Sequence, residues 1–313
     1  MATMDESLEG RLLSGDRRAL SRLLTHVENG TERGRHAIEK LYSYSGQSIV
    51  IGITGSPGAG KSTVIGALTQ EYRKRGRSVG IVAIDSSSPF TTGAILGDRV
   101  RMQVLTGDEG VFIRSLASRG AVGGLSAAAG DAVVLLDAFG KDVVLIETVG
   151  AGQDEFDIVN AAHTTVVINT PGTGDDIQIM KAGIMEIADI YGVNKADLPG
   201  ADLTVNQLRS LLSTNPSGVR TAEIIRMVAI TGDGIDDLAD ACDTHYEFLV
   251  GSGQLDVEDR KRARCRIVSL AQDLLVANLF SQSGGDKRLD YLAAAVADRT
   301  LDPHTAVKQW VEN

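Results

Sequence analysis

The chain has 313 residues, of which 43% are hydrophobic and 23% charged, enough for one large α/β unit with helical additions. Its net charge of −10 argues against a broad nucleic-acid or anionic-membrane surface, because such partners need a basic field. The two cysteines, Cys242 and Cys265, share no Cys-x-x-Cys spacing, which excludes a disulfide framework and a thiolate zinc site.

The first ten residues are acidic and carry no apolar run, so they do not read as a secretory signal. The apolar stretches elsewhere are strand-length, far short of the ~20 residues of a membrane helix, and no lipidation motif is evident. A soluble cytoplasmic protein is expected. From about Asp5 to Tyr44, Leu12, Leu13, Leu20, Leu23, Leu24 and Val27 recur among charges at helical intervals, which predicts helices packed on the main domain. From Ser48 the pattern changes to short β-branched runs: Ile49–Ile53, Val79–Ile84, Val143–Ile146, Thr165–Asn169, Ile190–Val193 and Ile225–Ile230. Continuous apolar strands alternating with helix-length segments predict a doubly wound, mostly parallel sheet covered on both faces. Beyond Gly253 the strands stop, and Val257 to Phe280 reads as one long helix with Ile267, Leu270, Leu274, Leu275 and Ala277 on a stripe. A helix near Leu289–Ala297 and a segment opened by Pro303 follow. The expected organisation is an N-terminal helical segment (1–46), a P-loop domain (47–252) and a C-terminal helical arm (253–313) that joins two subunits.

Gly55-Ser56-Pro57-Gly58-Ala59-Gly60-Lys61-Ser62-Thr63 fits G-x-x-x-x-G-K-[ST] and falls between an apolar strand and a helix. Its glycines let backbone N–H groups curl around phosphate oxygens, and the following helix N-terminus adds a favourable dipole. Lys61 is placed to reach the β- and γ-phosphates and Ser62 to ligate magnesium. Asn194-Lys195-Ala196-Asp197 follows the strand Ile190–Val193, at the sheet edge where ligands bind. The Asp197 carboxylate can accept from guanine N1 and its exocyclic amine, a donor pair that adenine lacks. Val228-Ala229-Ile230 resembles the element that closes over the base, with Val228 where Ser is usual.

In the segment Glu147-Thr148-Val149-Gly150 a Glu stands where most GTPases carry the magnesium-directed Asp, and Gly150 keeps the γ-phosphate-sensing place. The alternative is a solvated Glu at a strand end. Asp85 ends the second strand, and Asp98 lies in a polar break before a possible helix; either could also be an ordinary cap. No Gln directly follows Gly150, and Gln153 is three residues on, so slow intrinsic hydrolysis completed by a partner is expected.

Together these residues resemble the MeaB and methylmalonic aciduria type A family, once called ArgK kinases, within the SIMIBI class of GTPases. The matching stretches are Gly52–Ser62, Ala83–Met102, Ile113–Gly124, Glu147–Gln153, Pro171–Lys181 and Gly183–Asp197. The resemblance implies a chaperone of a cobalamin-dependent acyl-CoA mutase, usually methylmalonyl-CoA mutase, in which GTP hydrolysis gates adenosylcobalamin loading and removal of inactivated cofactor. It implies magnesium and GTP or GDP as ligands, with Lys61, Asp85 and Glu147 catalytic and Ser62, Asp85, Asp98 and Glu147 at the metal. It also implies partner-sensing roles for Gln153, Asp175, Asp176 and Lys181. The chain departs from the common pattern at Gln178-Ile179-Met180-Lys181-Ala182-Gly183 and at Gln153-Asp154-Glu155. Isobutyryl-CoA, ethylmalonyl-CoA or 2-hydroxyisobutyryl-CoA mutase is therefore an alternative client. A nickel metallochaperone would need a His or Cys cluster, whereas His26, His36, His163, His245 and His304 are scattered. A small-molecule kinase would usually select adenine, which Asn194–Asp197 opposes.

Overall fold

A computed structural model describes residues 6–85, 105, 107–117, 124–148, 161–172, 188–213, 222–281 and 285–312. The chain divides into two compact units, 1–262 and 263–313. In the first, three helices lead: α1 (Leu8–Leu13), α2 (Arg17–Glu28) and α3 (Glu32–Leu41). Each opens on a side-chain cap, from Ser7, Asp16 and Thr31 respectively. There follow β1 (Ile49–Gly55), α4 (Lys61–Lys74), β2 (Val79–Asp85), β3 (Val111–Ala117), α5 (Gly124–Ala138), β4 (Val143–Glu147) and β5 (Thr164–Asn169). The unit continues with β6 (Ile190–Val193), α6 (Ala201–Ser213), β7 (Glu223–Arg226) and α7 (Ile235–Gly251).

The seven strands form one parallel sheet in the order β3-β2-β4-β1-β5-β6-β7. β4, β5 and β6 are buried along their whole lengths, as their continuous apolar runs require. One sheet face packs Ile51, Ile53, Leu145 and Val166 against Val64, Ile65 and Leu68 of α4 and Leu238 and Cys242 of α7. The other packs Val50, Val82 and Val144 against Leu135 and Leu136 of α5 and the apolar side of α1–α3. On α2 alone Leu20, Leu23 and Leu24 are fully buried, each contributing about 1.5–3 kcal/mol. Further along that face Val167, Tyr191 and Val193 meet Val205 and Leu208 of α6. Strand order reverses around β1, so the crevice at the carboxyl edge beside β1 is where this topology binds ligands.

Two expectations need correction. β3 had no counterpart in the sequence reading, because as an edge strand it carries Arg114 and Ser115 within its run. Arg114 pairs with Glu28 of α2, so its charge helps seat the N-terminal helices. The last strand covers Glu223–Arg226, not Ile225–Ile230, since the chain turns at Val228, whose carbonyl accepts from Thr231 N and Gly232 N at 3.0 Å each.

The opposite sheet edge is closely tied. The Asp137 carboxylate accepts from the backbone N–H groups of Gly46, Gln47 and Ser48 and fixes the entry to β1. Arg17 donates to the carbonyls of Glu109 and Val111, and Lys141 Nζ to that of Gly110 at 2.7 Å. His163 Nδ1 accepts from Val50 N at 3.1 Å, and its ring lies against Tyr246.

The second unit holds the rest of α8 (Gln254–Ser281), which begins in the first, with α9 (Gly285–Ala297) and α10 (Pro303–Val311). Phe280 and Trp310 meet edge to face, and Leu292 and Ala306 are buried. Ile267, Leu274 and Leu275 of α8 are 68%, 56% and 65% exposed, an apolar surface with water on it. No helix among the described residues is long and apolar enough to cross a membrane.

Burial, helped by the Arg262 guanidinium, holds the His163 imidazole down at about 4 against an ordinary 6.5. Between those values the unfolded chain binds a proton that the folded chain excludes, so stability falls as pH is lowered through this window and levels off below it. From pH 7 to pH 5 the wild type should lose about 2 kcal/mol more unfolding free energy than His163→Gln. Denaturant titrations at both pH values measure that difference, and parallel losses in the two proteins would refute the assignment.

Candidate nucleotide site

The site is assembled where β1, β4, β6 and β7 end. β1 runs into the loop 55–60, where two glycines at positive φ approach their neighbours closely. Gly55 has φ +136°, and a Cβ there would lie 2.2 Å from Ile168 O of the adjacent strand. Gly60 has φ +90°, and its Cβ would lie 2.4 Å from the Asn194 amide nitrogen. Gly60 also occupies the N-cap of α4 without a side-chain cap. The first-turn N–H groups of α4 are thus left for an anion, with the helix dipole behind them. Lys61 is buried, its ammonium donating to Gly55 O at 2.7 Å and Ser56 O at 3.1 Å, folded over the loop that phosphate would fill.

Glu147 ends β4 in register with Ile53 of β1 and is buried. Ser62, in the first turn of α4, donates its hydroxyl to Glu147 Oε1 at 2.5 Å. A hydroxyl and a carboxylate, both hard oxygen donors, therefore stand together beside the loop, a donor set that suits magnesium. Asp85 closes β2, which pairs with β4 through Ala83 opposite Glu147, so its backbone lies on the same sheet edge. Its side chain is outside what the structure describes, as are Asp98, Gly150, Gln153, Asp175, Asp176 and Lys181.

Asn194 follows β6 and is buried. Its amide nitrogen donates to Ala59 O at 2.9 Å, and its amide oxygen accepts from Ala229 N at 3.1 Å. One side chain thereby joins the phosphate loop to the loop after β7. Lys195, held at φ +57°, sends its ammonium to Gly58 O at 3.0 Å. Ala196 N is anchored on Met227 O, and Asp197 is exposed. In the 228–233 loop, Val228 N donates to Asp233 O at 2.9 Å. Val228 and Ala229 thus both direct their N–H groups to protein acceptors, and Ile230 is left 85% exposed. Val228 enters the loop's hydrogen bonds through its backbone N–H and carbonyl.

The structure brings together Gly55–Thr63, Glu147, Asn194, Lys195, Asp197 and Val228–Ile230. It adds residues that sequence reasoning passed over. Asn169, ending β5, accepts from Asn194 N through its carbonyl at 2.8 Å. Thr54 and Thr148 form a buried hydroxyl pair beneath the site. The available signal was a polar residue closing an otherwise apolar strand next to a motif.

The chain is similar to known proteins along most of its length. Residues 20–284 match the family model described as methylmalonyl Co-A mutase-associated GTPase MeaB. A Pyrococcus abyssi protein named as a GTPase is 45% identical over 97% of this chain and 94% of its own. The mitochondrial methylmalonic aciduria type A homolog of Mus musculus is 28% identical over 94% of this chain and 76% of its own. A crystal structure of a LAO/AO transport system kinase superposes with a TM-score of 0.74 at 26% identity, covering 99% of this chain and 97% of that one.

Because a Cβ at Gly60 would strike Asn194, Gly60→Ala should damage phosphate loop and base loop at once. Displacing a buried hydrogen-bonded group costs about 1–3 kcal/mol, and the positive φ adds strain. GDP affinity measured by calorimetry should fall at least about tenfold; affinity equal to wild type would contradict the contact.

Proposed function

We propose that this chain, which belongs to the MeaB family of methylmalonyl-CoA mutase-associated GTPases, is a GTP-driven chaperone of a cobalamin-dependent acyl-CoA mutase. As a P-loop GTPase it converts GTP to GDP and phosphate. The proposed output of that cycle is conformational: it gates adenosylcobalamin loading and lets an inactivated cofactor leave, with methylmalonyl-CoA mutase as the first client to test. The single observation that carries the reading is the match of residues 20–284 to a family described by its mutase association.

The chain's own groups divide the work as follows. Backbone N–H groups of 55–63 and the α4 N-terminus bind the phosphates. Lys61 leaves the Gly55 and Ser56 carbonyls for the β- and γ-phosphate oxygens, exchanging neutral acceptors for charged ones. Ser62 and Glu147, already in contact, open to hold magnesium together with Asp85 and Asp98. Magnesium, when bound, neutralises charge developing on the transferred phosphoryl group. Asp197 accepts from guanine while Lys195 and the 228–230 loop confine the base. Gly150 and Gln153 sense the γ-phosphate and its loss, and the loop bearing Asp175, Asp176 and Lys181 carries the change to the client. Isobutyryl-CoA, ethylmalonyl-CoA and 2-hydroxyisobutyryl-CoA mutases remain alternative clients.

The arm 253–313 is assigned to a homodimer, on the support of the apolar surface that Ile267, Leu274 and Leu275 present to water. Light scattering should give a dimer for the whole chain and a monomer for residues 1–252; a dimeric 1–252 would place the interface elsewhere.

Lys61→Ala should abolish GTP turnover while leaving the circular dichroism spectrum unchanged, and retained turnover would remove the phosphate-loop assignment. The client is tested by turnover of GTP, with ATP as control, alone and with each candidate mutase. Acceleration of about tenfold or more by one mutase is expected, as for other GTPases completed by a partner. Guanine-specific turnover that none of the mutases alters would overturn the chaperone reading and leave the GTPase.

A further inference from the structure

Glu147 and Thr148 are consecutive, so their side chains leave opposite faces of the sheet. Glu147 is directed to Ser62 on the α4 side. Thr148 lies on the other side, where its hydroxyl donates to Thr54 Oγ1 at 3.0 Å. Thr54 is the residue before Gly55, the first of the phosphate loop. Both threonines are buried, with 0% and 1% of their surface exposed. The main chain repeats the link, since Thr148 N donates to Ile53 O at 3.2 Å, one step past the β1–β4 register that ends at Ile53 and Glu147. The hydroxyl pair is buried on the face where Val144 and Ile146 of β4 are apolar. An apolar pair would fill the space but would not fix the sliding position of one strand end against the other.

We infer that the Thr54–Thr148 hydroxyl pair is a positioning device that sets the Glu147 carboxylate against the Ser62 hydroxyl and fixes the start of the segment leading to Gly150. The hydrogen bond ties the residue after β4 to the residue before the phosphate loop, one step past the ladder that pairs Glu147 with Ile53. The strand ends that carry the phosphate loop and the Glu147 carboxylate are therefore tied to one another. Neither threonine touches nucleotide. Their effect passes through Glu147, and the inference rests on the reading of Glu147 as a magnesium-directed carboxylate.

The test is the magnesium concentration giving half-maximal binding of a fluorescent GDP analogue, measured together with the melting temperature. Thr148→Val keeps the shape and removes the hydroxyl; it should raise that concentration about tenfold, in the range seen when the outer partner of a metal ligand is lost. Thr148→Ser should return it to within about twofold of wild type, since the hydroxyl is restored. The double variant Thr54→Val, Thr148→Val removes both polar partners, so its melting temperature should approach wild type, while its magnesium requirement stays raised. A Thr148→Val protein that melts lower but needs no more magnesium has lost packing alone, and the inference fails. Normal magnesium response in the double variant would equally overturn it. Glu147→Gln is the control: if it leaves the magnesium requirement unchanged, the reading of Glu147 itself falls, and the inference with it. If it raises the requirement while Thr148→Val does not, only the inference is lost.

Discussion

The site depends on one side chain that is bonded at both ends. Asn194 offers a donor and an acceptor from a single rigid amide. It uses the donor on Ala59 O and the acceptor on Ala229 N. No carboxylate could do both, and no lysine could. The close approach this demands explains Gly60, where a Cβ would collide with the amide. Lys195 adds a second strap to the same loop at Gly58 O. The loops after β1, β6 and β7 are therefore one connected object before any nucleotide arrives, which is the preorganisation that selective binding requires.

The sheet makes that connection possible. Its parallel strands deliver the ends of β1, β4, β6 and β7 to one edge, where Asn194 joins the loops that follow β1, β6 and β7. At the other edge Asp137, Arg17, Lys141 and His163 anchor strand starts and connections through backbone groups. Polar side chains at that edge close backbone valences where the sheet ladder runs out. Between the edges the core is apolar on both faces. The polar machinery is thus held by a rigid layer, and the residues that end the strands carry both structure and chemistry.

Much of this was legible in the chain. Apolar runs of strand length gave the parallel sheet, and the two motifs after β1 and β6 located the crevice, because both carry residue types whose chemistry needs that spacing. Edges were read less well. Arg114 and Ser115 interrupt β3, whose partner Glu28 lies 86 positions earlier, a pairing that no local pattern announces. The run Ile225–Ile230 suggested a longer last strand, yet Gly232 and Gly234, both at positive φ, close a turn there that also seats Ala229 against Asn194. The Thr54–Thr148 pair was invisible for a related reason: threonine is an ordinary strand residue, and only juxtaposition of β1 with β4 makes two of them a bond.

If Asn194 unites the subsites, removing its amide should weaken binding that involves no base. The most direct measurement is calorimetric titration of wild type and Asn194→Ala with magnesium pyrophosphate and with magnesium GDP. The variant should lose affinity for both ligands, by about 1–3 kcal/mol for pyrophosphate alone and by at least as much for GDP. Unchanged pyrophosphate affinity beside weakened GDP binding would confine Asn194 to the base and contradict a strap that organises the whole site.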